Sequence, residues 1–280
     1  MRAIERAHPA VCFLYLLAVL GITAFSGSAV AALISLGGSL LLAAASGGIR
    51  PAIPLTAGLL AALANFLFVH NGKTVLFFAG DTAFTLEALV YGLYFGVMLA
   101  AVCVWSICSV RFVTSDKYIW LFGRVFPAAG LMLSCSIRFI PLLVRRTKEF
   151  IAVQSAADCK PHSTWAVRSY LRAFSASVGY SAERAMDSAL SMKARGYGTV
   201  RRTSFSLYRF TGKTAAALSL TTILSGGCAA LLIMGAGKQY YYPALSEIPT
   251  GTADILMYSA FAALCLMPSA VIIYSKVRKL

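Results

Sequence analysis

Long stretches of this chain are almost wholly apolar, and in the one long polar stretch the apolar residues recur at helical spacing. Crossing ~30 Å of hydrocarbon takes about 20 mostly apolar residues, with ~17 as the lower edge. Six stretches meet that length: Ala10–Ser26, Ala29–Ser46, Ile53–Val69, Phe84–Val110, Ala215–Met234 and Ile255–Tyr274. The fourth carries Gly92 and Gly96 at a spacing that lets helices approach closely. The first has the outline of a secretory leader, with Arg2 and Arg6 ahead of it and Ser26-Gly27-Ser28-Ala29 behind. A second apolar run follows at once, so the first reads as a span.

Between Arg124 and Arg138 the uncharged run Val125 to Ile137 is too short to cross. It reads as the membrane-proximal part of a long interfacial helix. From there Phe139, Leu142, Leu143, Phe150, Val153 and Ala157 share one face, with Arg145, Lys148 and Ser155 opposite. Arg146 falls inside that apolar stripe and must snorkel or find a partner. Pro161 ends this helix by Lys160. A second helix reads from about Thr164 to Ala194. Its last half groups Ala182, Ala185, Met186, Ala189, Leu190 and Met192 on one arc, while Glu183, Arg184, Asp187, Ser191 and Arg195 face away. Gly196 suits the residue just past the helix end, and Arg195 suits the negative end of the helix dipole.

The pattern therefore predicts an all-α polytopic membrane protein with about six transmembrane helices and long cytoplasmic amphipathic helices. Transmembrane helices one to four occupy 1–111, the cytoplasmic or interfacial region 112–213, and helices five and six 214–280.

Composition agrees, with 59% apolar and 12% charged residues where a soluble domain is about a quarter charged. Mean hydropathy is +0.76. The net charge of +15 is concentrated: Arg111 to Lys213 holds 17 lysines and arginines against 5 acidic residues. Basic residues favour the cytoplasmic side of short loops. Six spans place every basic block inside, both termini in the cytoplasm, and residues 70–83 and 235–254 outside.

Chemistry narrows the classes further. The seven cysteines form no C-x-x-C pair, and all but Cys159 lie in apolar stretches, as packing thiols do. Gly72-Lys73-Thr74 and Gly212-Lys213-Thr214 resemble the end of a phosphate loop, but the earlier glycine is replaced by Leu67 and Leu207. His8, His70 and His162 stand apart from other ligand-type residues, and Glu87 is the one acidic residue inside a predicted span. No catalytic residue, metal site or directly bound cofactor is expected.

Several motifs along the chain resemble one family, the transmembrane T component of energy-coupling factor transporters, ABC-type importers of vitamins and metal ions in prokaryotes. They are His8-Pro9, Asn65, the E-A-L-x-Y-G stretch at Glu87–Gly92, and Thr114-Ser115. The most specific are R-F-I-P-L-L at Arg138–Leu143 and E-R-A-M-D-S-A-L-S-M-K-A-R-G-Y at Glu183–Tyr197. The resemblance implies a non-catalytic subunit of the cell membrane whose cytoplasmic coupling helices dock two ATP-binding ABC ATPases through Ala-Arg-Gly ends. Here the second such end is Ala194, Arg195 and Gly196, with Arg184 and Ser191 on the same docking ridge. The first, Gln-x-Ala-Arg-Gly in the family, falls on Gln154, Ser155, Ala156, Ala157 and Asp158. Its arginine and glycine are missing, which implies two unlike ATPases or one weakened contact. ATP is then used by the partners alone. A small membrane-embedded substrate-binding subunit would meet Phe139, Leu142, Leu143, Phe150, Met186 and Leu190. Two other readings stay open: a stand-alone secondary transporter binding its own solute, and a membrane-anchored basic protein binding anionic lipid or nucleic acid. Sparse interleaving of aromatic and basic residues speaks against nucleic acid.

Overall fold

A computed structural model of the chain describes residues 8–47, 51–69, 72–79, 82–157, 163–199, 208, 210–242, 245–246 and 249–277. Among them the chain is helical apart from one hairpin. The elements run α1 (Pro9–Phe25), α2 (Ala29–Ser46), α3 (Ala52–Phe68), β1 (Val75–Ala79), β2 (Thr82–Thr85), α4 (Leu86–Phe112), α5 (Ser115–Val125), α6 (Pro127–Ala157), α7 (Ser163–Ala194), α8 (Gly212–Ile233) and α9 (Thr252–Val277). They form two compact units, Met1–Lys117 with Tyr208–Leu280, and Tyr118–Leu207.

In the first unit α4 is the central element, packing on α1, α2 and α3, while α9 packs on α2 and α8. Small residues set these crossings. A Cβ added at Gly58 would lie 2.5 Å from the Gly96 carbonyl oxygen, and one at Gly92 would lie 2.9 Å from that of Ala62. The α3 and α4 backbones therefore touch where the sequence placed its two glycines. Val19, Leu42, Trp105, Cys108, Phe261, Leu264 and Cys265 fill the core. Three hydrogen bonds pair polar groups within it: Trp105 Nε1 donates to Ser35 Oγ at 3.0 Å, Ser35 and Thr23 share a hydrogen bond of 2.9 Å, and Tyr15 Oη donates to the Leu264 carbonyl at 3.1 Å. The outward faces stay apolar, as Ile53, Leu59, Leu60 and Leu63 on α3 show by their exposure. Such a surface suits lipid, since apolar patches of this extent are not left in water.

Among the described residues five helices are long and apolar enough to cross a membrane: α2, α4, the Pro127–Ala156 part of α6, α8 from Thr214, and α9 to Ile272. Helices α1 and α3 are apolar but have 17 residues each, about 25 Å of rise. The long helix expected from the uncharged run through Phe150 forms as α6, which continues past Arg138 and Pro141 to Ala157. The difference from the sequence expectation is that α6 meets the length and composition of a span, because its apolar character extends beyond the thirteen-residue run.

The β-hairpin is the second departure. The sequence predicts an outer loop over 70–83 and a span from Phe84, whereas Phe77 pairs with Phe84 and Ala79 with Thr82. Its strands carry the aromatic and β-branched residues that favour pairing on either side of Gly80-Asp81. Thr85 then caps α4, accepting from the Ala88 amide at 3.4 Å. Glu87, in the first turn, accepts from the Thr74 amide at 3.2 Å, which ties the loop to the helix start. On the same side of the chain order, Tyr91 and Tyr94 contact Tyr241, the latter pair stacked at 5.0 Å.

At the other end of α4, Lys117 is 1% exposed and donates from Nζ to the Phe112 carbonyl at 2.7 Å, with Cys12 Sγ at 3.8 Å. A cation against the last carbonyls of α4 complements that helix end. Nothing in the apolar pattern marked this lysine as buried.

Candidate docking surface

The second unit is built on two antiparallel helices, α6 and α7. Helix α6 is described to Ala157, and the predicted end at Lys160 before Pro161 lies outside the described residues. Helix α7 runs Ser163–Ala194, within a residue of the predicted start and matching its end. The seam between them is small and hydroxylated. Thr147 bonds the Leu143 carbonyl at 2.9 Å and the Ser177 hydroxyl at 3.2 Å, and Ser169 Oγ donates to Gln154 Oε1 at 3.1 Å. Ser169, Ala173 and Ser177 are buried at every fourth position of α7, the spacing that lays one helix closely on another.

This seam decides where several predicted site residues lie. Gln154 is half-buried within it, its Oε1 accepting from Ser169 on α7. Phe139, Leu142, Leu143 and Phe150 occupy the same face of α6 as Thr147 and Gln154 and are half-buried. Arg146, the cation that broke the apolar stripe, has two partners. Its Nη1 bonds Glu149 Oε2 at 2.7 Å, and its guanidinium lies 5.2 Å from the centre of the Tyr180 ring. Arg184 approaches the same ring at 5.7 Å. The two arginines thus bracket one tyrosine, a role invisible in a single-helix pattern. Glu149 also accepts from Arg145 Nε at 3.1 Å, and its hydrogen bond to Arg146 leads in holding its carboxyl below the usual range. The face of α6 next to these groups is a shallow groove lined by Pro141, Val144, Arg145, Lys148, Glu149 and Ala152.

The far end of α7 is built differently. The Gly196 amide bonds the Lys193 carbonyl at 2.9 Å and the Tyr197 amide bonds the Met192 carbonyl at 3.0 Å. Those two bonds define a Schellman cap, which requires the positive φ of 81° that Gly196 adopts. Arg195 occupies the cap position with its side chain exposed, and Ala194 is the last helical residue. Ser191 is exposed and its carbonyl receives the Arg195 amide at 3.1 Å. Met186 and Leu190 stand bare at 62% and 65% exposure. Ala156 is exposed on α6, Ala157 ends that helix, and Asp158 lies outside the described residues. The two positions therefore differ: α7 presents Arg195 on a glycine-closed end, and the matching position on α6 is Ala157.

Chemically this surface offers exposed methyl and thioether groups and an exposed cation at the helix end. Among the described residues no group of three or more metal-ligand side chains occurs. The sequence matches no protein-family model and no curated protein.

Proposed function

We propose that this chain is the transmembrane energy-coupling subunit of an energy-coupling factor importer. In this reading it docks two ATPase subunits and passes their ATP-driven motion to a separate membrane-embedded substrate-binding subunit. The observation that carries the reading is the α7 end, where Arg195 is exposed on a Gly196-closed helix beside bare Met186 and Leu190. An amphipathic helix with adaptable Ala and Met side chains suits insertion into a partner's groove. A charged hydrogen bond from Arg195 to an acidic groove would contribute ~1.5–3 kcal/mol. The unlike end of α6 makes the two ATPase contacts inequivalent, with the contact at α7 the stronger.

In the same reading α1–α4, α8 and α9 cross the membrane, the termini are cytoplasmic, and α6 lies at the inner surface. Taking α6 as a span would carry Arg145, Arg146 and Lys148 to the outer side, against the preference of basic residues for the cytoplasm. Purification of the tagged full chain from its native membranes tests the assignment. Two phosphate-loop ATPases and a small apolar membrane protein should co-purify. A chain that purifies alone and binds a solute tightly would be a stand-alone transporter instead.

A further inference from the structure

The N-terminal half of α7 has three distinct faces. At 100° per residue, Ser169, Ala173 and Ser177 form the buried seam toward α6. About 120° away, a stripe of Val167, Tyr170, Leu171, Phe174 and Val178 is uncovered, from 41% exposure at Phe174 to 65% at Val167. The third face, another ~120° on, carries exposed Arg168 and Arg172.

We propose that this half of α7 is a docking surface for an anionic lipid headgroup layer. The apolar stripe enters the boundary between headgroups and acyl chains, and Arg168 and Arg172 reach back to the lipid phosphates.

Three observations select lipid over a protein partner. First, the charge is of one sign: from Cys159 to Ala182 the chain has no Asp or Glu, while Arg168 and Arg172 flank the stripe. An anionic surface attracts such a segment. Second, the stripe includes Tyr170 and Phe174, and a tyrosine's apolar ring with a polar tip suits the membrane interface. Third, the segment is tethered on both sides in sequence to apolar helices, α4 before it by way of α5 and α6, and α8 after it. The bilayer is thus always at high local concentration. The C-terminal half of α7 contrasts on each count. Glu183 and Asp187 sit among Arg184 and Lys193, and the bare residues are Met186 and Leu190. Mixed charge around Met and Leu fits a protein groove. Helix α7 is therefore divided along its length, with membrane contact first and partner contact second. The proposal needs a bilayer-spanning chain but not the identity of its partners.

The test uses the purified full chain, with no other protein present, in nanodiscs of phosphatidylcholine alone or with phosphatidylglycerol at roughly three to one. An environment-sensitive fluorescent amino acid is placed genetically at Leu171 or Val178, and as a control at Ser175 on the polar side. In phosphatidylglycerol discs the probes at 171 and 178 should be quenched by lipid-borne nitroxide and shielded from aqueous iodide, and the probe at 175 should show the reverse. Arg168→Glu with Arg172→Glu, both exposed in the native chain, should abolish the shielding at 171 and 178, as should ~1 M salt if charge is the attraction. Equal iodide access at 171, 175 and 178 in both lipids would overturn the proposal. So would shielding that appears only after the native membrane extract is added back, which would make the occupant a protein. Failure here leaves co-purification of ATPases unaffected, and loss of that co-purification leaves lipid quenching unaffected.

Discussion

Trp105 gives its indole N–H to the Ser35 hydroxyl at 3.0 Å, and neither side chain is reached by solvent. The bond joins α4 to α2, and Ser35 passes it on to Thr23 on α1 at 2.9 Å. Three helices are thereby held in one rotation about their axes, which apolar packing alone specifies loosely. An apolar stripe tolerates sliding, whereas a buried donor left without its acceptor costs about 1–3 kcal/mol.

That cost sets the first prediction. Ser35→Ala orphans the indole and should destabilise the bundle by ~1–3 kcal/mol, while Trp105→Phe, which leaves the hydroxyls paired, should cost less at this bond. The double variant should cost less than the two single changes added. Thermal unfolding in detergent, run as a double-mutant cycle, measures the coupling. Strict additivity would mean the bond contributes nothing.

The α3–α4 crossing is the second. At Gly96 a Cβ would sit 2.5 Å from the Gly58 carbonyl oxygen and 2.7 Å from the Ala62 Cβ. Gly96→Val should therefore cost ~3 kcal/mol, since two backbones must part. Gly21→Ala on α1, where nothing lies within 4 Å, should be neutral or slightly stabilising, as alanine is the better helix former. Unfolding midpoints of the two variants check the contrast.

His8 supplies a pH prediction. Its Nδ1 accepts from the Ala10 amide at 3.4 Å, and its ring meets Phe210 edge-on at 5.3 Å. Burial holds its pKa below the ordinary 6.5. The folded chain thus prefers the neutral ring. Stability is intact above the unfolded value and is lost as pH falls from there through the lower folded value. His8→Asn, which keeps an N-cap acceptor, should remove that step from a plot of unfolding midpoint against pH.

Arg195 and Gly196 separate docking from capping. Gly196→Ala forces a side chain into φ of 81° and should cost about 1 kcal/mol in stability. Arg195→Ala should leave stability nearly unchanged, because the cap is made by backbone groups. It should instead lower retention of one ATPase roughly tenfold or more in a pulldown. Unchanged assembly would leave docking to the apolar faces.

The sequence by itself determined the helical class, the positions of the apolar helices to within a few residues and the Gly196 terminus. Each rests on a local cause: hydropathy over one turn after another, and a residue free to take positive φ. It also marked Arg146 as an anomaly, but not its solution, because Glu149 and Tyr180 are brought to it by chain geometry. Tertiary structure alone decided which face of an amphipathic helix is covered. Phe139, Leu142, Leu143 and Phe150 are half-buried on the face of α6 that also carries Thr147 and Gln154, the residues that bond α7. Met186 and Leu190 looked similar and remain bare. Periodicity reports that a face is apolar and says nothing of what lies against it. The same limit hid Lys117, whose burial depends on the carbonyl end of α4 and on a cysteine 105 residues away in sequence.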